Sequence, residues 1–198
     1  EIECKFQLIV EKALKSYLNW LLYSKKLIRT YSEKRAEKHF LFSKGKIIRT
    51  LISGKKELWI KEKKGFRIKK TPKGIPFILR KESLYNPQNK SYQKIFNETL
   101  RWAFIGFFNK KSVDIGFWHN DMHFSVTPGI ICDKDKKLIQ MEVEYDGHRI
   151  GTKIPTYKEV MRNADNFIKY IGFENLKFTT LSKYHWILDN LKERNLKK

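Results

Sequence analysis

Glu1-Ile2-Glu3-Cys4-Lys5-Phe6 opens the chain, and Met141-Glu142-Val143-Glu144-Tyr145 stands near its other end. Both stretches place two carboxylates at i and i+2. On a strand the side chains alternate faces, so Glu1, Glu3 and Lys5 share one face while Ile2, Cys4 and Phe6 share the other. Glu142 and Glu144 separate in the same way from Met141 and Val143. Two such strands side by side bring four carboxylates close together. That arrangement is unfavourable unless positive charge sits among them, and a hard divalent cation with oxygen ligands meets the need. A single Glu-x-Glu is ordinary solvent-face patterning. These are the only two in the chain, and both lie inside apolar alternation. Asp133-x-Asp135 falls in a lysine-rich turn and reads as solvated.

Outward from these strands, Val10, Ala13, Leu14, Tyr17, Leu18 and Leu21 follow helical spacing and predict an amphipathic helix over 10–23, directly after a strand over 2–9. From Lys26 to Tyr85 short β-rich runs alternate with Gly- and Lys-containing turns. The expected strands are Leu27–Arg35, Lys46–Ser53, Glu57–Lys63, Phe66–Lys69 and Pro76–Tyr85, with turns at Ser43-Lys44-Gly45, Ser53-Gly54-Lys55-Lys56, Lys64-Gly65 and Thr71-Pro72-Lys73-Gly74. Residues 86–97 read as a loop with a short helical turn. Strands Thr99–Phe108, Ile115–Thr127 and Leu138–Tyr145 follow, then helices over 156–172 and 182–195. The whole is a single α+β domain over 1–198. A closed antiparallel β-barrel of about eight strands, with amphipathic helices packed outside, fits this inventory and creates an interior that can be polar.

Lys and Arg total 42 against 21 Asp and Glu in 198 residues, a net charge of +21. That imbalance points to a polyanionic partner, nucleic acid before an anionic membrane surface. Two cysteines, Cys4 and Cys132, make no disulfide scaffold and indicate a reducing compartment. No apolar run reaches transmembrane length, and no signal-peptide pattern is present. There is no nucleophile elbow and no Walker-type phosphate loop. The five tryptophans read as core. His119, Asp121 and His123 at i, i+2, i+4 read as a polar interior before a transition-metal site.

Glu-Ile-Glu-x-Lys-Phe at the start and Glu142-Val-Glu-Tyr-Asp-Gly147 near the end resemble the first and last metal-binding strands of the triphosphate tunnel metalloenzymes. That superfamily includes the CYTH proteins and the RNA 5'-triphosphatases of fungal and large-virus mRNA capping systems; the second motif is closer to the viral branch. Phe77-Ile-Leu-Arg-Lys-Glu82 resembles the family's middle strand, which ends in a base and a glutamate. Trp118-His-Asn-Asp121-Met-His123 resembles its Trp-base-x-acid strand.

The resemblance implies a metal-dependent RNA 5'-triphosphatase that removes the γ-phosphate as the first step of capping. Glu1, Glu3, Glu142 and Glu144 would bind Mg²⁺ or Mn²⁺. Lys5, Lys61, Lys63, Arg80, Arg101 and His119 would hold phosphates, and Glu3, Glu144, Glu82 and Asp121 would serve as catalytic or supporting carboxylates. It implies the RNA 5' end and guanylyltransferase or methyltransferase domains as partners, no membrane, and a cytoplasmic viral or plasmid-type setting, with a nuclear one as the alternative. A chain beginning at Glu1 without methionine reads as part of a larger capping enzyme. One departure stands out. Where relatives carry alternating bases before the tryptophan, Leu100-Arg101-Trp102-Ala103-Phe104-Ile105 has Ala103 and Ile105. Three other readings stay open: a tunnel phosphatase for a small triphosphate, a nuclease using Asp121 with Glu142 and Glu144, and a non-catalytic RNA-binding scaffold on a degenerate tunnel.

Overall fold

The computed structural model describes residues 2–51, 58–173 and 175–195. Eight antiparallel strands close into one barrel: β1 (Ile2–Leu8), β2 (Arg29–Phe42), β3 (Lys46–Leu51), β4 (Leu58–Lys70), β5 (Pro76–Tyr85), β6 (Phe104–His119), β7 (Met122–Asp133) and β8 (Lys136–His148). The order around the barrel is β1-β5-β4-β3-β2-β6-β7-β8, so β1 joins β5 on one side and β8 on the other. Four helices accompany it: α1 (Glu11–Tyr23), α2 (Tyr92–Leu100), α3 (Tyr157–Tyr170) and α4 (Lys183–Asn195).

Strand alternation splits the side chains into two populations. On β1, Cys4, Phe6 and Leu8 point outward into the larger core. There they meet Leu14 and Leu21 of α1 and Val160, Met161, Ala164, Phe167 and Ile168 of α3. Ile115, Phe117, Phe124, Val126, Met141 and Val143 carry the same core around the outer faces of β6, β7 and β8. The principal hydrophobic core therefore lies between barrel and helices. Glu3 and Lys5, on the opposite face of β1, point inward and are 2% exposed. Helix α3 starts where Thr156 and Glu159 form a reciprocal capping box: the Glu159 amide donates to Thr156 Oγ1 at 3.3 Å, and the Thr156 amide donates to Glu159 Oε2 at 2.6 Å.

Helix α4 does something different. Its Ile187 packs with Leu41, Phe108, Ile131 and Leu138, which face into the barrel. The approach to α4 explains how it gets there. Among the described residues β5 pairs with β1 only at Ile2 and Glu3. Further along, the residues around Phe178 take over the vacated edge: the Gln7 amide donates to the Lys177 carbonyl, and the Thr179 amide donates to the Lys5 carbonyl. A free strand edge is thereby paired, and the chain is steered from that edge toward the end of the barrel that α4 fills.

Several expected elements are corrected. The strand expected over Thr99–Phe108 is instead the end of α2 followed by the start of β6. Tyr92, Ile95, Phe96 and Thr99 recur at helical spacing, and Thr99 Oγ1 donates back to the Ile95 carbonyl. The strand expected over Ile115–Thr127 is two strands joined at Asn120 and Asp121, with φ of 48° and 57°. Asn and Asp tolerate this left-handed geometry, which a two-residue hairpin turn needs. The runs Glu57–Lys63 and Phe66–Lys69 are one strand, β4, with a register shift between Lys64 and Arg67. β2 reaches Phe42, well past Arg35. The expected turn Ser53-Gly54-Lys55-Lys56 and residue Glu57 lie outside the described residues. Among those described, no helix is long and apolar enough to cross a membrane.

Candidate active site inside the barrel

A cavity of about 810 Å³ runs inside the barrel. That is within the ~300–1,000 Å³ usual for ligand clefts. β1 and β8 form its acidic wall by register: Glu3 stands opposite Glu144, and Lys5 opposite Glu142. β7 adds Ser125 opposite Glu144 and Thr127 opposite Glu142. Lys61 and Lys63 of β4 and Arg80 of β5 form the flanking basic wall, on the two strands that follow β1 around the barrel.

The acids are held by cations. Lys5 Nζ lies 3.1 Å from both Glu3 Oε1 and Glu142 Oε1. Arg80 donates to Glu3. Glu142 also receives Lys183 Nζ at 2.5 Å and faces Lys110 Nζ at 3.6 Å. Burial pushes the Glu142 carboxyl upward, but these three ammonium groups prevail and hold it well below the usual carboxylate range. Burial opposes the Lys5 charge as well, yet Glu142 and Glu3 raise its pKa. Lys183 is the least favoured of the three, brought down to about 7 by burial and by the neighbouring ammonium groups, against the pull of Glu142. On β5, beside β1, Glu82 braces the basic wall, taking Lys61 Nζ at 2.5 Å and Lys63 Nζ at 3.2 Å.

β2 and β6 contribute residues that the sequence reading did not place in the site. Glu37 is opposite Lys110 and Arg35 opposite Ser112. Arg35 pairs with Asp114 at 3.0 Å, and Thr127 Oγ1 donates to the same carboxylate at 3.0 Å. His39 stacks on Phe108 with ring centroids 4.7 Å apart and meets Glu37 at 3.1 Å. Burial lowers its pKa to about 4. Asp146 receives Ser125 Oγ at 3.3 Å and His123 at 3.2 Å, and burial raises its pKa despite both. The buried hydroxyl of Ser112 has no hydrogen-bond partner among the described residues, although it lines the cavity. The signal for these strands was present: Arg35-x-Glu37-x-His39 and Lys110-x-Ser112-x-Asp114 are polar residues at period two.

Of the expected site residues, the structure gathers Glu3, Lys5, Lys61, Lys63, Arg80, Glu82, Glu142 and Glu144 around the lumen. Glu1 lies outside the described residues. Three expected placements are corrected. Asp121 is an exposed turn residue 3.5 Å from Arg149. His119 packs outside the barrel against Phe167 and Tyr170, where burial lowers its pKa. Arg101 caps the end of α2. The chain reversal at Asn120 and Asp121 takes Asp121 off the strand, His119 shares the outward parity of Ile115 and Phe117 on β6, and α2 carries Arg101 at its end. The start of β6 at Phe104 removes the departure noted at Ala103 and Ile105. Ala103 precedes β6, and Ile105 packs on the α4 cluster. The polar alternation sits further along β6, from Lys110 to Asp114.

Fit to a divalent metal was tested on the donors. Glu3, Glu142 and Glu144 share one inner wall and offer only carboxylate oxygens, the chemistry of a hard cation. Among the described residues no three acids or histidines already converge at ligating spacing; the lysine ammonium groups lie between them. Among the described lining residues, Lys5, Arg35, Lys61, Lys63, Arg80, Lys110 and Lys183 face an equal number of carboxylates, Glu3, Glu37, Glu82, Asp114, Glu142, Glu144 and Asp146. A lumen so balanced receives a polyanion most readily when a cation enters with it. The donor set therefore fits a co-bound divalent ion.

No protein-family model matches the chain, and no curated protein matches its sequence. Solved structures do match its fold. The Mimivirus capping-enzyme triphosphatase is 10% identical with a TM-score of 0.52, covering 87% of this chain and 89% of that one. The Schizosaccharomyces pombe RNA triphosphatase Pct1, solved in complex with the Spt5 CTD, is 12% identical with a TM-score of 0.52, covering 86% and 84%. A chain of the S. pombe Mediator head module is 8% identical with a TM-score of 0.54, covering 90% and 98%. At these identities the likeness establishes a shared barrel fold, found in RNA triphosphatases and also in a Mediator subunit.

Proposed function

We propose that the barrel is the active site of a metal-dependent triphosphatase whose substrate is the 5'-triphosphate end of RNA, leaving a 5'-diphosphate ready for guanylylation. The observation that supports this reading is the juxtaposition, inside one closed lumen, of the Glu3/Glu142/Glu144 wall on β1 and β8 with the Lys61/Lys63/Arg80 wall on the neighbouring strands β5 and β4. Phosphoryl transfer needs mainly positioning and charge stabilisation, and this lumen offers both. Lys61, Lys63 and Arg80 receive phosphate oxygens, joined by Lys5, Lys110 and Lys183. Glu82 fixes Lys61 and Lys63 so that they need not reorganise when substrate enters. Glu3, Glu142 and Glu144 hold Mg²⁺ or Mn²⁺, which when bound supplies positive charge to the γ-phosphoryl oxygens. Glu144, paired across from Ser125, would orient the attacking water or take its proton. The net charge of +21 favours RNA over a small triphosphate. The capping reading brings guanylyltransferase and methyltransferase domains as partners, in a cytoplasmic viral or plasmid-type setting or a nuclear one.

The test is release of phosphate from γ-labelled triphosphate-ended RNA, with Mg²⁺ or Mn²⁺ and with EDTA. Metal-dependent release that disappears in Glu142→Ala/Glu144→Ala is expected. A second reading, a non-catalytic RNA-binding scaffold, is favoured by the lysines that already occupy the carboxylates. Folded protein that binds RNA and releases no phosphate would select it.

A further inference from the structure

The β4–β5 hairpin carries a feature that the lumen chemistry leaves unused. From Lys63 to Lys81 there is no acidic residue. Lys64, Arg67, Lys69, Lys70, Lys73 and Lys81 are all exposed. Two large apolar side chains stand among them, Phe66 at 54% and Ile68 at 45% exposure. Exposed apolar groups embedded in a one-sign basic field are not simple solvation. The arm is also fixed in place. Its turn is closed by the Thr71 amide on the Ile75 carbonyl and the Gly74 amide on the Thr71 carbonyl, both at 2.9 Å. The Lys73 amide donates to Asp165 of α3 at 3.3 Å, and Lys69 Nζ lies 5.1 Å from the centre of the Tyr157 ring. A fixed arm loses little entropy on binding.

The register shift between Lys64 and Arg67 makes the arm continuous with the site. Upstream of it, Lys61 and Lys63 face the lumen. At the shift, Gly65 and Phe66 still line the cavity while being exposed. Beyond it Arg67 and Ile68 pair with Leu79 and Ile78, the β5 residues that also pair with β1, and Lys69 and Lys70 carry the hairpin past that pairing to its turn. The same strand thus runs from phosphate-facing lysines through an exposed aromatic ring to a basic surface.

We propose that this arm is the docking platform for the body of a single-stranded RNA, with Phe66 stacking a nucleobase near the entry to the lumen and the six cations following the backbone phosphates. Single-strand sites combine these two elements, a basic track and an aromatic stacking surface. The proposal rests on the triphosphatase reading only for which RNA end enters the barrel. Its consequence is substrate choice: a long triphosphate-ended RNA gains contacts that a nucleotide or inorganic triphosphate cannot make. An anionic membrane would use the charge but not the connection of Phe66 to the lumen.

The test measures binding of a 5'-hydroxyl single-stranded RNA in EDTA across a salt series, so no hydrolysis is required. In Lys64→Gln/Arg67→Gln/Lys69→Gln/Lys73→Gln, four phosphate contacts are lost. The slope of log K against log salt should fall by about 3, and affinity near 0.1 M salt by on the order of 10²-fold. Phe66→Ala should cost about tenfold with the slope unchanged. Melting temperature verifies folding of both variants. The four-site variant should hydrolyse inorganic tripolyphosphate at the wild-type rate. Undiminished RNA affinity in the four-site variant would overturn the proposal. So would a wild-type protein that binds phosphatidylserine vesicles and not RNA. Failure of the triphosphatase reading shows separately, as absence of phosphate release with RNA binding intact.

Discussion

Replacing Glu142 by Gln keeps the volume of the side chain and removes its charge. Three ammonium groups then surround a neutral amide: Lys5, formerly 3.1 Å from the carboxylate, Lys183 at 2.5 Å and Lys110 at 3.6 Å. Lys5 is 2% exposed and the Glu142 side chain 12%, so water cannot take over the lost neutralisation. Breaking a buried ion pair from one side costs about 3–5 kcal/mol, mostly from the charge left unpaired. For a domain of this size each kcal/mol moves the melting temperature by roughly 2–4 °C, so Glu142→Gln should melt about 6–20 °C lower in EDTA. Adding Lys183→Met removes the ammonium whose surroundings bring its pKa down to about 7 and should restore about 1–3 kcal/mol, appearing as non-additivity in a double-mutant cycle. Tripolyphosphate in EDTA should stabilise Glu142→Gln more than wild type, because the anion takes the place of the missing carboxylate. Thermal melts of the four proteins, with and without tripolyphosphate, make the measurement. If Glu142→Gln melts with wild type, or Lys183→Met adds a further loss on top of it, then Glu142 is not the counter-charge of this cluster.

The remaining predictions address the walls and the exterior. His39 is neutral when folded, with a pKa of about 4 set by burial beside Glu37, Lys110, Lys183 and the Phe108 ring. The unfolded chain takes that proton near pH 6.5, so stability should fall as pH drops from about 6.5 to about 4, by roughly 3 kcal/mol, and level off below. Urea midpoints across that window should lose this slope in His39→Gln; an unchanged slope would assign the acid sensitivity elsewhere. Arg101→Ala and Asp121→Asn, both remote from the lumen, should leave phosphate release and stability within about 0.5 kcal/mol of wild type. A large loss of turnover in either would restore the strand alignment that the turn at Asn120 contradicts.

The first and last strands were legible because their period-two pattern is uninterrupted and each face has one job. Cys4 and Phe6 go to the helices and Glu3 and Lys5 to the lumen, and the same division holds along β8. Closure into a barrel followed from the number of such strands. The wall formed by β2 and β6 was harder to read because parity inside a strand depends on where the strand ends. Asn120 and Asp121 reverse the chain with left-handed backbone that neither residue advertises as strongly as glycine would. Reading through that turn moved the expected cations to Arg101, Ala103 and Ile105 and the expected acid to Asp121. Helix α4 was found as a helix, yet its place was hidden. An apolar stripe containing Ile187 and Leu191 states that the helix packs, not that it packs inside a barrel. Lys183 was invisible as a site residue for the same reason.

That hidden lysine changes how the lumen works. A barrel lined only by the β1 and β8 glutamates would be an acidic hole that any divalent ion could fill and any phosphate would avoid. With Lys5, Lys110 and Lys183 drawn onto Glu142, the carboxylates are neutralised internally and the lumen is balanced before anything enters. A metal ion that takes Glu142 must release ammonium groups from it, and a phosphate is the partner to which those released groups can turn. In the proposed triphosphatase, metal and triphosphate would then be coupled, each lowering the cost of binding the other, with the lysine side chains as the moving part. The barrel supplies fixed positions and α4 supplies the third ammonium. The coupling thus depends on a helix that has no carboxylate of its own near Glu142, so Lys183→Met should weaken the cooperativity between metal and triphosphate while both ligands keep their wall residues.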